Sequence, residues 1–364
     1  MKTSVIFFSW LLISVAKIYG QDTNVRLNDI RILASHNSYK KLPHPKVVKF
    51  LSRFKKRLGE ENNPIQLDYG HLPIETQMSD YNIRGLELDV YYDPKGSLYR
   101  KRKINRFIIG QKVKVRDEKM KQPGFKLLHI PDIDFETNYL TFIDALKSVK
   151  SWSKNNPNHS PIFINVEVKG TSAADESKFL RILGFKRAIP MDSLAFMSLN
   201  NEIVSVFSDG EIYKPIQLQS NYKCIKDRIF SEGWPLLSEC MGKIFFILQG
   251  NNEDIYRKIL QNDMSLCMFA YDEPGASNTA FVIRNNSKNQ EREISLLSDY
   301  YMIRTRTDAG TIQARNNDYS DFVSALKSNA QIISTDYYKP DQRFSDFKII
   351  LKGMDKTRPY IYRN

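Results

Sequence analysis

Cysteine is scarce in this chain: Cys224, Cys240 and Cys267 are the only three in 364 residues. Three thiols cannot all pair within one chain, and no Cys/His spacing makes a zinc site. Cys224 and Cys240 fall in one irregular region and could close a modest loop. Cys267 sits in Ser265-Leu266-Cys267-Met268-Phe269-Ala270, which reads as a buried strand, so a free core thiol is expected there. Histidine is also sparse, at five. No glycine-rich phosphate loop follows the first strand, which weakens a dinucleotide-binding reading. There is no internal repeat and no low-complexity tract. Beyond residue 20 no apolar run is long enough to cross a bilayer.

The first residues carry a different signal. Lys2 gives a basic start, Val5 to Val15 is apolar, and Tyr19-Gly20 offers a small residue at a cleavage point. This is the pattern of a secretory leader over 1–20, cut before Gln21. Its apolar run is shorter than the ~20 residues a spanning helix needs. A secreted, soluble mature chain is therefore expected. Two glycosylation sequons, Asn158-His159-Ser160 and Asn285-Asn286-Ser287, fit that route. The net charge of +13 falls by two, to +11, once Lys2 and Lys17 leave. Such a balance draws a secreted protein to phospholipid, heparan-type sugar or nucleic acid, without choosing among them. The 41% hydrophobic content supports a sizeable core, and plentiful Tyr and Phe argue against disorder.

Eight strands are predicted: Ile30–Ala34, Gly85–Tyr91, Phe125–His129, Pro161–Val168, Lys243–Leu248, Leu266–Ala270, Tyr301–Thr305 and Gln331–Thr335. Amphipathic segments lie between several of them. Phe142, Ala145, Leu146, Val149 and Trp152 recur at helical spacing, as do Phe322, Ala325, Leu326 and Ala330; another helix is expected near Asp175–Leu183. Strands alternating with helices imply a parallel sheet, and eight of them imply a closed (β/α)8 barrel of the TIM type. A doubly wound open sheet is the alternative. One domain over 21–364 is expected, with a long insertion at about 95–122. That insertion holds Arg100-Lys101-Arg102-Lys103 and further bases against only Asp117 and Glu118. It is too poor in apolar residues to fold alone. It is either a solvated loop or a contact for anionic lipid.

Chemistry-bearing residues gather at strand ends. Ser35-His36-Asn37-Ser38-Tyr39 closes the first strand and His129 the third. Side chains two apart on a strand share a face, so Glu87 and Asp89 point one way while Leu86, Leu88 and Val90 point the other. Asn165, Glu167 and Lys169 share a face likewise. Carboxylates crowded inside a barrel need a cation or a basic partner. Asn37, Glu87, Asp89 and Glu167 are all oxygen ligands, which suits calcium, with magnesium the alternative. His36 and His129 stand where barrel enzymes place catalytic groups, and two imidazoles beside a divalent ion serve phosphoryl transfer. His44, His71 and His159 are read as surface or loop residues.

These motifs resemble the calcium-dependent phosphatidylinositol-specific phospholipase C family of secreted, bacterial-type enzymes. The likeness extends through Leu128-His129-Ile130-Pro131-Asp132-Ile133-Asp134-Phe135, Ile303-Arg304-Thr305-Arg306-Thr307-Asp308, Ala314-Arg315-Asn316-Asn317-Asp318 and Ser334-Thr335-Asp336-Tyr337-Tyr338. It implies a distorted barrel that converts phosphatidylinositol to diacylglycerol and a cyclic inositol phosphate at a membrane surface, with no nucleic-acid role. It implies His36 and His129 as catalytic residues and Asn37, Glu87, Asp89 and Glu167 as Ca2+ ligands. The inositol 2-hydroxyl would give its proton to Glu87 or Asp89, with His36 stabilising the crowded phosphorus and His129 protonating the leaving oxygen. Lys169, Arg304 and Asp336 are candidates for phosphate or inositol contacts. Lys169 could equally be a counter-ion to Glu167, and Arg304 could pair with Asp336. A glycerophosphodiesterase-like enzyme is a second reading, although such enzymes usually open with His-Arg-Gly. A secreted barrel that only binds anionic lipid or glycan is a third.

Overall fold

Strand β1 (Ile30–Ser35) is buried at every position in the computed structural model, which describes residues 24–363 apart from 59–61, 109, 356 and 358. The expected leader at 1–20 lies outside the described residues. A strand buried on both faces is what a parallel barrel stave requires, one face inward and the other against helices. Nine strands follow: β2 (Ile83–Tyr91), β3 (Lys126–Leu127), β4 (Ile162–Val168), β5 (Ile244–Gly250), β6 (Met268–Ala270), β7 (Phe281–Ile283), β8 (Met302–Arg306), β9 (Ile332–Thr335) and β10 (Tyr360–Ile361). Eight run parallel in the order β6-β5-β4-β2-β1-β9-β8-β7. A parallel bridge between Tyr271 and Phe281 joins the two ends, so the eight staves make a nearly closed TIM-type barrel.

The expected total of eight staves is right, but one member differs. The strand expected at Phe125–His129 is only β3, two residues antiparallel to the end of β2. The missing stave is β7, three residues long, too short to show a period. Strand β10 pairs antiparallel with the start of β1.

Period-two alternation sorts the staves as expected. Leu86, Leu88 and Val90 join an outer layer with Ile74 and Met78 of α3 (Ile74–Asp80) and Phe142, Leu146 and Val149 of α4 (Phe142–Asn155). Thr141 starts α4, its Oγ1 accepting from Asp144 N at 3.2 Å. The expected helix near 175–183 is two short ones, Ala173–Glu176 and Lys178–Ile182, and another spans Ser320–Lys327. Inside the barrel, Ile32, Phe163, Phe245, Ile247, Phe269, Phe281 and Ile332 form an apolar plug. On the inward face, polar side chains such as Glu87, Asp89, Glu167 and Arg304 therefore follow this plug toward the C-terminal ends of the staves. Gly85 is required beside this plug, because a Cβ there would lie 2.3 Å from that of Ala34.

The two βα loops nearest the site carry the helices α1 (Pro45–Ser52) and α2 (Lys55–Leu58) after β1, and the basic insertion after β2. The insertion has no core of its own. Tyr99, Ile104, Ile108 and Met120 are buried against Tyr91, Leu128 and Phe135. Lys103 N donates to Asp132 Oδ1 (3.1 Å) and Ile104 N to Asp132 O (3.0 Å), so the insertion braces the loop that carries His129. Cys224, Cys240 and Cys267 are all free, so the loop that Cys224 and Cys240 could have closed is not closed by a disulfide. Cys267 is buried, as expected, and its thiol lies 2.9 Å from Asn200 Oδ1.

Candidate active site

The chain turns sharply after β1, with Asn37 in the left-handed region at φ 49°. Asparagine tolerates that conformation better than most residues. Ser38 then clamps the turn to β2: its N–H donates to Glu87 O (2.9 Å) and its Oγ accepts from Glu87 N (2.8 Å). The clamp fixes His36 and Asn37 beside the inward carboxylates of β2.

His36 Nδ1 lies 2.8 Å from Asp336 Oδ1, and Tyr69 Oη lies 3.2 Å from the same nitrogen. Arg306 donates to the other oxygen of Asp336 at 3.0 Å. The second ring nitrogen, Nε2, faces Glu87 Oε1 at 3.5 Å. Burial, then Arg306, hold the His36 imidazole well below its ordinary pKa. A neutral ring with its proton on Nδ1, toward Asp336, leaves its lone pair on Nε2.

His129 is held in the same manner on the other side. Its Nδ1 lies 2.8 Å from Asp134 Oδ2, and Lys40 Nζ lies 3.3 Å from that oxygen. Burial would raise the Asp134 carboxyl, but Lys40 and His129 outweigh it and the pKa is lowered. Lys40 is fully buried, donates to Leu67 O and Tyr69 O at 2.8 Å each, and sits 4.5 Å from the centre of the Tyr69 ring. Tyr69 in turn stacks on His36 at 5.8 Å. One continuous chain of contacts thus joins the two imidazoles.

Glu87, Asp89 and Glu167 each offer an oxygen within 4.8 Å of the others. Glu87 pairs with Arg304; Lys169 bridges Asp89 Oδ2 (3.2 Å) and Glu167 Oε1. Three carboxylates face two cations. The shortfall shows at Asp89, whose pKa is raised well above the ordinary range by burial, with Glu167 and Glu87 adding to it against Lys169. Asn37 Nδ2 donates to Tyr69 Oη (2.8 Å), which turns Oδ1 toward both Asp89 oxygens, at 2.8 and 3.2 Å. Acceptors facing at that range need a reversed amide, which would then donate to Asp89, or a cation between them. The donor set is all oxygen and carries one excess negative charge, so it fits a hard divalent ion.

The nine expected site residues, His36, Asn37, Glu87, Asp89, His129, Glu167, Lys169, Arg304 and Asp336, lie in this one network of contacts at the C-terminal ends of the staves. Two details differ from expectation. Arg304 does not pair with Asp336. Both face inward, but Arg304 lies a layer deeper and meets Glu87, while Arg306, two residues on, reaches Asp336. His71 and His159 are buried, not surface residues. His71 Nε2 donates to His36 O (2.7 Å), and His159 is held between Ser153 Oγ and Ser160 O. His44 caps α1, accepting from Lys46 N at 3.2 Å. Sequence reasoning missed Lys40, Tyr69 and Asp134 as supports. Arg306 stood in a quoted motif with the period-two signal that would have found it. Tyr69 had none.

A family model described as "Phosphoinositide phospholipase C, Ca2+-dependent" matches residues 25–360. The chain belongs to that family. It is accordingly an enzyme of the phosphodiesterase class with calcium as its metal, and Glu87, Asp89 and Glu167 form the acidic cluster able to hold the ion. A search of curated proteins finds no match. Among solved structures, the calcium-dependent phosphoinositol-specific phospholipase C from Pseudomonas sp., apo crystal form 1, superposes with a TM-score of 0.52. It is 13% identical, over 93% of this chain and 96% of that one. The Ca2+-dependent phosphatidylinositol-specific phospholipase C from Streptomyces antibioticus gives 0.50 at 14% identity, over 85% and 95%. Both support the barrel fold.

Proposed function

We propose that this phospholipase C cleaves phosphatidylinositol to diacylglycerol and inositol 1,2-cyclic phosphate, acting peripherally at a membrane surface as a secreted single-domain barrel over residues 21–364. The observation that carries this reading is the pairing of two carboxylate-anchored imidazoles with a buried carboxylate cluster one positive charge short.

Asn37, Glu87, Asp89 and Glu167 would hold calcium. Bound there, the ion supplies positive charge to phosphate oxygens and acidifies a nearby hydroxyl. His36 is the better proton acceptor than Glu87 or Asp89. It is neutral with a lone pair on Nε2, whereas Glu87 is tied to Arg304 and Asp89 to Lys169. This departs from the roles implied by the resemblance. Nε2 takes the proton of the inositol 2-hydroxyl as that oxygen bonds to phosphorus. The bond from phosphorus to the diacylglycerol oxygen breaks, and that oxygen takes a proton from His129. Asp336 and Asp134 fix the ring orientations; Asp336 balances the imidazolium that His36 becomes, and Asp134 the imidazolium as which His129 enters the step before it donates. Arg304 and Lys169 lie beside the carboxylates and serve the phosphate or inositol hydroxyls.

The test is release of water-soluble inositol phosphate from phosphatidylinositol vesicles with calcium and with chelator, phosphatidylcholine vesicles being the control. Calcium-dependent release from phosphatidylinositol alone supports the reading. Absence of release, or equal release from phosphatidylcholine, overturns it.

A further inference from the structure

The geometry points to the face formed by α1, α2 and the short turn Lys103–Phe107 as the surface that seats this enzyme on an anionic bilayer. The inference rests on the reading that the substrate is a membrane phosphodiester. Both segments leave the C-terminal ends of staves, α1 and α2 after β1 and the turn after β2. They therefore stand on the rim beside the site, where βα loops of a barrel lie.

Three phenylalanines join them. Phe50 of α1 stacks on Phe107 of the insertion at 5.5 Å and 11°, and Phe54 packs edge-on against Phe50 at 5.5 Å. Phe54 and Phe107 nonetheless remain 44% and 46% exposed, with Leu42 and Leu58 also exposed nearby in the chain. Aromatic rings this size do not cluster in water without a reason.

The charge on the segment itself is of one sign. Residues 45–58 contain no Asp or Glu. Lys46, Lys49, Arg53 and Lys56 on that segment are exposed, as are Lys101 and Arg106 on the insertion. Among the described residues, none of these six is ion-paired with a carboxylate. Exposed aromatics ringed by unpaired cations, on a short amphipathic helix, are the composition of a surface that lies in a lipid interface. Nucleic acid or sulfated glycan would use the cations but give Phe54 and Phe107 no apolar medium. Such docking would hold the site mouth against the headgroups that carry the substrate.

The experiment compares the full mature chain with Phe54→Ser/Phe107→Ser and with Lys49→Glu/Lys56→Glu/Arg106→Glu. Three quantities are read: sedimentation with phosphatidylcholine vesicles containing phosphatidylserine, turnover of vesicular phosphatidylinositol, and turnover of a monomeric water-soluble inositol phosphodiester. Thermal unfolding checks the fold. The expected result is vesicle affinity reduced by roughly fivefold for each cation removed, a similar loss in the double phenylalanine variant, and a parallel loss of vesicular turnover. Soluble turnover and unfolding temperature stay unchanged. Unchanged vesicle binding in both variants overturns the proposal, as does loss in the charge variant with vesicle binding of the phenylalanine variant unchanged. If wild type turns over neither inositol substrate while both variants still lose vesicle binding, the docking face stands and the proposed reaction falls.

Discussion

Lys40 Nζ lies 3.3 Å from Asp134 Oδ2, with both side chains withdrawn from solvent. The same carboxylate oxygen holds His129. Removing one member of a buried pair leaves an uncompensated charge, at a cost of roughly 3–5 kcal/mol. Lys40→Met is expected to lose that much stability, and Lys40→Met/Asp134→Asn less than the sum of the two single changes. Urea unfolding of the four proteins in the cycle measures the coupling. Additive effects would show that the pair is not a unit.

Asp336 joins His36 to Arg306. An amide in its place leaves the imidazole free to take the wrong tautomer. Asp336→Asn is expected to lower kcat about 10²–10⁴-fold, the range of a misplaced general base, with little change in KM. Steady-state kinetics on a soluble inositol phosphodiester separates the two. A KM effect with kcat preserved would place Asp336 in binding.

His71 gives a pH dependence of stability. Burial depresses its pKa from 6.5 to about 4, so it stays neutral in the folded chain. Between those values the unfolded chain binds the proton that the folded chain refuses. The stabilisation is therefore complete above pH 6.5 and is lost as pH falls toward 4. The full swing is on the order of 3 kcal/mol. His71→Gln keeps a donor for His36 O and should flatten the stability profile across that window. Denaturant unfolding at pH 7 and pH 5 reads the difference. Parallel profiles would contradict it.

Lys169 stands between Asp89 and Glu167, where it offsets part of the cluster's charge. Lys169→Met should unfold at a lower temperature in chelator than wild type. Its melting temperature should then rise more on calcium addition, because ion binding stabilises by mass action. An equal calcium shift in both proteins would mean that Lys169 does not share the ion's electrostatic role.

Much of this architecture was legible because period two is rigid. Once Leu86, Leu88 and Val90 faced the helices, Glu87 and Asp89 had to face the barrel, and Asn165 and Glu167 followed by the same parity. What was not legible depended on contacts between distant segments. Lys40 and Tyr69 belong to a loop without periodicity, and only the folded chain brings them under His36 and Asp134. Stave β7 was too short to show alternation. The spare strand at β3 reads like a stave because apolar residues packed against the barrel's rim look the same in sequence as apolar residues inside its wall. His71 and His159 sit in polar stretches, yet both rings are buried, His71 on the backbone carbonyl of His36 and His159 between Ser153 Oγ and the carbonyl of Ser160. Arg304 and Arg306 share one face, and only their depth in the barrel decides which acid each meets.

The acidic cluster is expected to hold the calcium required for cleavage. The most direct measurement is turnover of phosphatidylinositol against free calcium for wild type and Asp89→Asn, with calcium binding followed by calorimetry on the same proteins. Wild type is expected to be silent in chelator and restored by calcium. Asp89→Asn is expected to need more than the about 10–100-fold extra calcium typical of an outer-shell change. Wild-type turnover that survives chelation, or an Asp89→Asn calcium dependence matching wild type, would contradict the claim.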